Sequence, residues 1–293
     1  MVVPFPAGGA TDTGGRIVAE RMRFSLGQPV IVENAPGGNG VIGVNRVAHA
    51  APDGYTLVAG IWNTHVANGA LYSLPYDLQN DFVPISLIAG GPYLIATKKV
   101  LSANNLTDFI AWLKRNPNTA TAGTIGVGSP QHVGGVFFQN LTGTRFQFIP
   151  YRGGAPAMQD LVAAHIDWML AFASDGIAQL RLGNIKAFAV TAKTRLASAP
   201  DVPTVDEAGL REFYLSNWIA VWAPRTTPTN IVTRLNAAVM DALADLQVQA
   251  RFADLGFEVF PRNLQTPQAL GDFQKAEIEK WWPIIKAANI KGE

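Results

Sequence analysis

An α/β fold divided into two domains is what this sequence predicts, and three observations carry that expectation. Short apolar runs alternate with stretches of helical periodicity along most of the chain, the pattern of βα units on largely parallel sheets. The length, 293 residues, is enough for two domains with cores of their own. From Pro228 onward the pattern is almost wholly helical, with one short strand candidate at 257–260. A tail so poor in strands lacks partner surface and has to pack on an earlier domain. The expected layout is therefore discontinuous: residues 1–98 with 222–293 in one domain and 99–221 in the other, joined by crossover strands near 97–100 and 218–224.

Taken in order, the first strand is expected at 2–5, in the apolar run Val2-Val3-Pro4-Phe5, followed by a glycine turn and a helix over 15–26. A strand at 30–33 and a helix over 40–50 come next. The turn Pro52-Asp53-Gly54 then leads into a strand at 56–59. Two separate strands are expected at 85–88 and 93–97. Asn105 and Thr107-Asp108 offer polar starts for a helix over 105–116 that carries Phe109, Ile110 and Leu113. Strands at 120–124, 146–150 and 168–171 alternate with helices at 133–142, 155–163 and 176–181. Gly183 stands just past the last of these, where a helix commonly ends, before a strand at 187–191. After a strand at 218–223, Ile231, Leu235, Val239, Leu243 and Leu246 recur at helical spacing, as do Phe273, Ile278, Trp281, Trp282 and Ile285. Those two patterns predict helices over 229–245 and 267–288, with a third at 247–255 between them.

Composition narrows the function. Hydrophobic residues make up 48 % and charged residues 15 %, which describes a globular chain and not a disordered one. Lys+Arg 23 against Asp+Glu 22 leaves a net charge of +1, so neither nucleic acid nor an anionic membrane is indicated as partner. No apolar stretch reaches membrane-spanning length. Cysteine is absent, which removes disulfides, thiol nucleophiles and thiolate metal sites.

The most informative segment is Gly8-Gly9-Ala10-Thr11-Asp12, where a strand breaks into a glycine turn and then a helix. That arrangement points several backbone N–H groups at one spot and adds the partial positive charge of a helix start: a seat for a small anion. Asp12 reads as a helix-capping residue or as a ligand contact. A second loop of similar chemistry runs from Gly126 to Gly135 and holds Ser129, Gln131 and His132. Two such loops facing one another would grip a ligand with two acceptor groups. Trp62-Asn63-Thr64-His65, after the strand ending near Gly60, mixes a ring with amide and hydroxyl groups and suits a ligand wall, with Trp62 as ordinary core its alternative.

Other motifs weigh less. Gly38-Asn39-Gly40-Val41-Ile42-Gly43 is a literal G-x-G-x-x-G. Four residues separate it from the strand, however, and the next acid, Asp53, lies in a turn, so a crossing loop is the better use of these glycines than a dinucleotide. No G-x-S-x-G occurs, and His49, His65, His132 and His165 show no metal spacing. No nucleophile–base pair, metal or cofactor is expected. An α/β enzyme using the glycine loops for a phosphate-bearing cofactor is the competing hypothesis.

At Pro4-Phe5-Pro6-Ala7-Gly8-Gly9-Ala10-Thr11-Asp12 the chain resembles the Bug/TctC family, the solute receptors of tripartite tricarboxylate transporters. Further blocks agree in order: Gly27-Gln28-Pro29-Val30, Pro36-Gly37-Gly38-Asn39-Gly40, Pro52-Asp53-Gly54-Tyr55, Tyr151-Arg152-Gly153-Gly154, Pro200-Asp201-Val202-Pro203 and Arg234-Leu235-Asn236. The resemblance implies a two-domain periplasmic-binding-protein fold of type II-like layout, with a ligand cleft between the domains and a hinge of crossover strands. It implies a periplasmic, monomeric, non-catalytic receptor that hands a small carboxylate to the transporter's membrane subunits. It places one carboxylate on Phe5, Ala7, Gly8, Gly9 and Asp12, the opposing contacts on Ser129, Gln131 and His132, and the side walls at Trp62, Asn63, Thr64 and the segment near Ala171.

Two departures from the family pattern bear on the ligand. Many relatives carry Asp-Asn where this chain has Ala171-Phe172, which disfavours an ammonium-bearing solute and favours a less polar wall. Relatives also begin with a leader and a longer first strand, so the numbering is read as that of a processed or recloned form. Expected ligands run from C4–C6 dicarboxylates and citrate to aromatic acids such as terephthalate.

Overall fold

The computed structural model describes residues 1–291, apart from the side chain of Ser174. The chain divides into two compact units, residues 1–90 with the segment from Trp218 onward, and residues 91–217. It crosses between them at 90/91 and 217/218, not at the 98/99 and 221/222 expected from the sequence. Both crossings fall inside strands, Phe82–Lys98 and Ser216–Pro224, and not in loops.

Along the chain the elements are β1 (Val2–Val3), α1 (Ala10–Leu26), β2 (Glu33–Asn34), α2 (Val41–Ala48), β3 (Val58–Ile61), a π-helical turn (Asn63–Ala67), α3 (Asn68–Leu71) and the long β4 (Phe82–Lys98). Then follow α4 (Leu106–Arg115), β5 (Thr121–Thr124), α5 (Pro130–Thr142), β6 (Gln147–Pro150), α6 (Gly154–Val162), β7 (Trp168–Phe172), α7 (Ala173–Arg181) and β8 (Ile185–Val190). The remainder is β9 (Ser216–Pro224), α8 (Thr229–Ala244), α9 (Leu246–Asp254), β10 (Glu258–Val259) and α10 (Pro267–Ala287).

In the first unit β1 lies between β2 and β3, parallel to both. β9 runs antiparallel to β3 with Val58 opposite Trp222, and β10 pairs antiparallel with β4 at Ala89 and Gly90. The helical tail belongs to this unit, and α8 packs along α1. Its core is buried through Val3, Ile17, Met22, Trp222, Val239, Phe252 and Trp281.

In the second unit β5 is parallel to β6 and β7, while β7 and β8 flank the later part of β4, both antiparallel to it. Phe109, Phe138, Phe146 and Trp168 form an aromatic core there, with Phe138 and Trp168 centroids 5.1 Å apart. On another side Ala171, Leu94, Met158, Leu161 and Ile177 pack together.

Helix ends follow the local chemistry. Asn105 caps α4 by accepting the Asp108 N–H at 2.8 Å, and Thr266 caps α10 through the Ala269 N–H at 3.1 Å. Gly183, at φ 69°, turns the chain after α7 as expected. The expected strands 85–88 and 93–97 are one strand, β4, which changes partners as it passes through Gly90-Gly91-Pro92.

Candidate functional site

The first-strand loop is built around a buried carboxylate. Gly9 is the N-cap of α1 and makes no side-chain cap, which leaves the first N–H groups of the helix to be accounted for. Asp12, on the first turn, reaches back with Oδ2 to accept the Gly8 N–H at 2.9 Å. Its Oδ1 accepts from Asn34 Nδ2 at 2.8 Å, and Arg16 Nε donates to both oxygens at 3.0 Å. Burial works against the charge, but the Arg16 guanidinium, the Gly8 N–H and the Asn34 amide outweigh it and hold the carboxyl at about 2. Asn34 uses its other amide hydrogen on the Phe5 carbonyl, 3.0 Å away, and accepts from Arg16 Nη2 at 3.0 Å. Asp12 is thus the internal anchor of the loop, and its oxygens are spent within the protein.

What the loop offers outward is main chain. Ala7, Gly8, Gly9 and Ala10 are exposed and Phe5 is half-buried. Among the described residues the N–H groups of Gly9, Ala10 and Thr11 have no hydrogen-bond partner, while Thr13 N–H already closes on the Gly9 carbonyl at 2.9 Å. Gly8 takes φ 85°, which an L-residue tolerates poorly, and its N–H is given to Asp12. Gly9 has ordinary extended dihedrals, and a Cβ there would lie 3.7 Å from the Pro6 carbonyl oxygen, so a side chain fits.

Two neighbouring elements buttress this loop. The 37–40 segment carries four successive positive φ values, at Gly37, Gly38, Asn39 and Gly40. A Cβ on Gly40 would come 2.5 Å from Thr64 Cγ2 and 3.5 Å from Phe5 Cζ, and one on Gly43 would come 2.9 Å from Pro4 Cα. These glycines are there for close packing against the first-strand loop. Asn68 Nδ2 donates to the Asn39 carbonyl at 3.0 Å and fastens the segment to the helical turn after β3.

That turn is π-helical at its start, a local irregularity common at functional positions. Thr64 Oγ1 accepts the Ile61 N–H at 2.9 Å and lies 3.0 Å from the Ile61 carbonyl, so its hydroxyl closes the turn. His65 is buried, stacked on Trp222 with centroids 3.7 Å apart, and burial pushes its imidazole down to about 3. Asn63 is 7 % exposed, and its amide makes no hydrogen bond among the described residues. Trp62 is fully buried, edge-on to Trp281 at 5.5 Å, so the expected ligand wall is a core residue. The sequence could not decide this because its partner stands more than two hundred residues away. From α10, Gln274 Nε2 donates to the His65 carbonyl at 2.9 Å and Trp282 Nε1 to the Val66 carbonyl at 2.8 Å.

The second loop, in the other unit, has less to offer than the sequence suggests. Ser129 caps α5: its Oγ accepts the His132 N–H at 3.2 Å and donates to the Gly126 carbonyl at 2.7 Å. Gly128 N–H donates to His132 Nδ1 at 3.1 Å, Ser129 N–H goes to the Gly126 carbonyl, and Pro130 has no N–H to give. The Gly128 bond makes Nδ1 an acceptor, so the neutral ring carries its proton on Nε2. Burial lowers the His132 pKa and keeps the ring neutral. Gln131 is 7 % exposed, and among the described residues its Oε1 lacks a partner. Ala171 is fully buried in β7 opposite Leu94, a core position and not a wall.

The structure thus gathers Phe5, Ala7, Gly8, Gly9 and Asp12 at one loop with Thr64 beside its buttress, and holds Ser129, Gln131 and His132 at a second. Arg16, Asn34 and Asn68 escaped the sequence reading. Arg16 was findable, since an Arg four residues after Asp12 is a standard helical ion pair. No group of metal-ligating side chains occurs among the described residues, and no helix is long and apolar enough to cross a membrane.

Comparison with known proteins gives this geometry its context. The profile described as tripartite tricarboxylate transporter family receptor, TctC, matches residues 15–290. MatC from Rhodopseudomonas palustris, solved with bound malate, is 36 % identical with a TM-score of 0.82, covering 97 % of both chains. The periplasmic binding protein BugD is 35 % identical with a TM-score of 0.81, over 100 % of this chain and 98 % of its own. R. palustris Rpa4515, solved with adipate, is 31 % identical with a TM-score of 0.83, over 99 % and 97 %. The α/β fold is that of periplasmic binding proteins, which bind solutes and are not enzymes. The chain belongs to the TctC family of tripartite tricarboxylate transporter receptors.

Proposed function

We propose that this protein is an extracytoplasmic receptor, acting as a monomer in the periplasm, that binds a small carboxylate and delivers it to the membrane subunits of a tripartite tricarboxylate transporter. One observation carries the reading. At the start of α1 the N–H groups of Gly9, Ala10 and Thr11 have no partner among the described residues, while the carboxylate of Asp12 is paired with Arg16 and hydrogen-bonded by Asn34. Such a helix start attracts an anion by about 0.3–1 kcal/mol per contact and recognises a carboxylate without a fixed cation. Asn63 is the side-chain contact proposed for this unit. In the second unit Gln131 and the Nε2–H of His132 are the groups proposed to meet the solute, with Ser129 and Asp12 acting as supports. Malate in MatC and adipate in Rpa4515 set the probes to try first.

Isothermal calorimetry with malate and adipate tests the reading, paired with Gly9→Asp. A side chain fits at Gly9, and Asp is a better N-cap than Gly by a few tenths of a kcal/mol. The variant is expected to keep or slightly raise its Tm while losing all binding, because it fills the seat with a fixed negative charge. Gly9→Ala, with no charge, is expected to weaken binding far less. Undiminished affinity in Gly9→Asp would show that the seat is elsewhere.

A further inference from the structure

We propose that the groove beyond Met1 is a strand slot, filled by an extended segment carried on this same chain ahead of Met1 and continuing β1 in line. The inference goes beyond the proposed function and does not rest on it. β1 is the middle strand of three, yet it spans only Val2–Val3, while its neighbour β3 runs over Val58–Ile61. Where the line of β1 runs on past Met1, the first unit opens into a groove of about 590 Å³. Pro29 and Ile31 line it on the β2 side, Tyr55 and Leu57 on the β3 side, and Ile231 and Leu235 from α8. Ile31 and Tyr55, on opposite sides, are 71 % and 75 % exposed, apolar surface that a strand lying between them would cover.

The main chain on both walls says what the groove takes. On the β2 side Glu33 N–H donates to the Met1 carbonyl at 3.0 Å, and the Met1 nitrogen donates to the Ile31 carbonyl at 2.7 Å. On the β3 side Val2 N–H donates to the Leu57 carbonyl at 2.7 Å. The next groups back along each wall are the Ile31 N–H and Pro29 carbonyl, and the Leu57 N–H and Tyr55 carbonyl. None of the four makes a hydrogen bond among the described residues. Successive residues of a parallel strand bond to alternate neighbours, so two residues joined ahead of Met1 meet all four groups. A separate peptide cannot take that register, because its end cannot approach Met1 as closely as a bonded carbon does. Charge argues the same way. Met1 is 8 % exposed, so its ammonium is largely desolvated, and a peptide N–H makes the same bond to Ile31 without a charge.

The test compares the chain as it stands with two fusions ahead of Met1, Thr-Val-Thr-Ile-Val-Ile and Gly-Ser-Gly-Ser-Gly-Ser. Amide hydrogen exchange reads the slot directly, and thermal unfolding reads its weight. The β-forming extension is expected to slow exchange at Ile31 and Leu57 by more than about tenfold and to raise Tm by about 2–4 °C, while the Gly-Ser extension changes neither. Unchanged exchange at those two amides overturns the proposal, and so does equal protection by both extensions. Slow exchange there already in the unextended chain, with sedimentation showing a dimer, gives the slot to a second copy and overturns it too. The β-forming sequence added as a free peptide is the control for a separate partner: protection equal to that of the fusion counts against a segment of this chain. Should the longer fusion not fold, Ile-Val-Ile alone supplies the residues that meet Ile31 and Leu57, and the same exchange measurement decides. No solute enters these measurements, so their outcome is separate from that of the proposed function.

Discussion

Asp12 shows how one inward-facing residue can fix the shape of a whole loop. Its carboxylate accepts from a backbone N–H, an amide and a guanidinium, and so cannot also accept from a solute that is itself an acceptor. Asn34 is the joint of that arrangement, because its single amide ties Asp12 to the Phe5 carbonyl. Replacing Asn34 by Ala strips two donors from partly buried acceptors and is expected to cost about 1–3 kcal/mol. Urea unfolding measures that loss, and calorimetry should show weaker carboxylate binding beside it. A variant as stable and as tight as the wild type would mean the loop holds its shape without Asn34. Ser129 is a different case, with its hydroxyl committed to capping α5. Ser129→Ala is expected to lose about 1 kcal/mol of stability, readable as a lower Cm at unchanged m-value.

At the scale of elements, the turn after β3 is the most constrained piece of the first unit. A Cβ on Gly60 would collide with His65 Nδ1 and lie 2.9 Å from the Trp222 ring. The imidazole is stacked on that ring and cannot move aside, so Gly60→Ala is expected to destabilise by about 1–3 kcal/mol, the usual cost of overpacking. Thermal unfolding of the variant checks this, and an unchanged Tm would mean the stack is loose. The same region shows where sequence reading stops. The loop between β1 and α1 was legible because a strand, a glycine pair and a helix start are adjacent in sequence. The π-helix was missed, since Trp62-Asn63-Thr64-His65 has no periodicity and its support comes from Gln274 and Trp282. β4 was split in two because Gly90-Gly91-Pro92 carries turn chemistry, whereas the strand continues by exchanging one set of partners for another. The use of the glycines at 40 and 43, close packing on Pro4, Phe5 and Thr64, is visible only in three dimensions.

For the molecule as a whole, the buried titratable groups set how stability depends on pH. His65 falls from 6.5 to about 3 on folding, chiefly through burial. Between those values the unfolded chain takes up a proton that the folded chain refuses, so stability is complete above 6.5 and declines as the pH falls. The slope is about 1.4 kcal/mol per pH unit for one proton. Asp12, held at about 2 against an ordinary 3.8, adds a second loss confined to the window between those two values. Glu277 works in the other direction: raised above 4.5, it favours the folded state as the pH drops through that region and partly masks the His65 slope. Isolating the histidine therefore needs a difference measurement. His65→Phe keeps a ring to stack on Trp222 and cannot protonate. Whatever the substitution does to stability at pH 8, its urea-unfolding free energy between pH 6.5 and 4.5 should fall less steeply than the wild type's by about 1.4 kcal/mol per pH unit. Parallel curves for the two proteins would mean that the folded state takes the proton at His65, and that the stack on Trp222 opens to admit it.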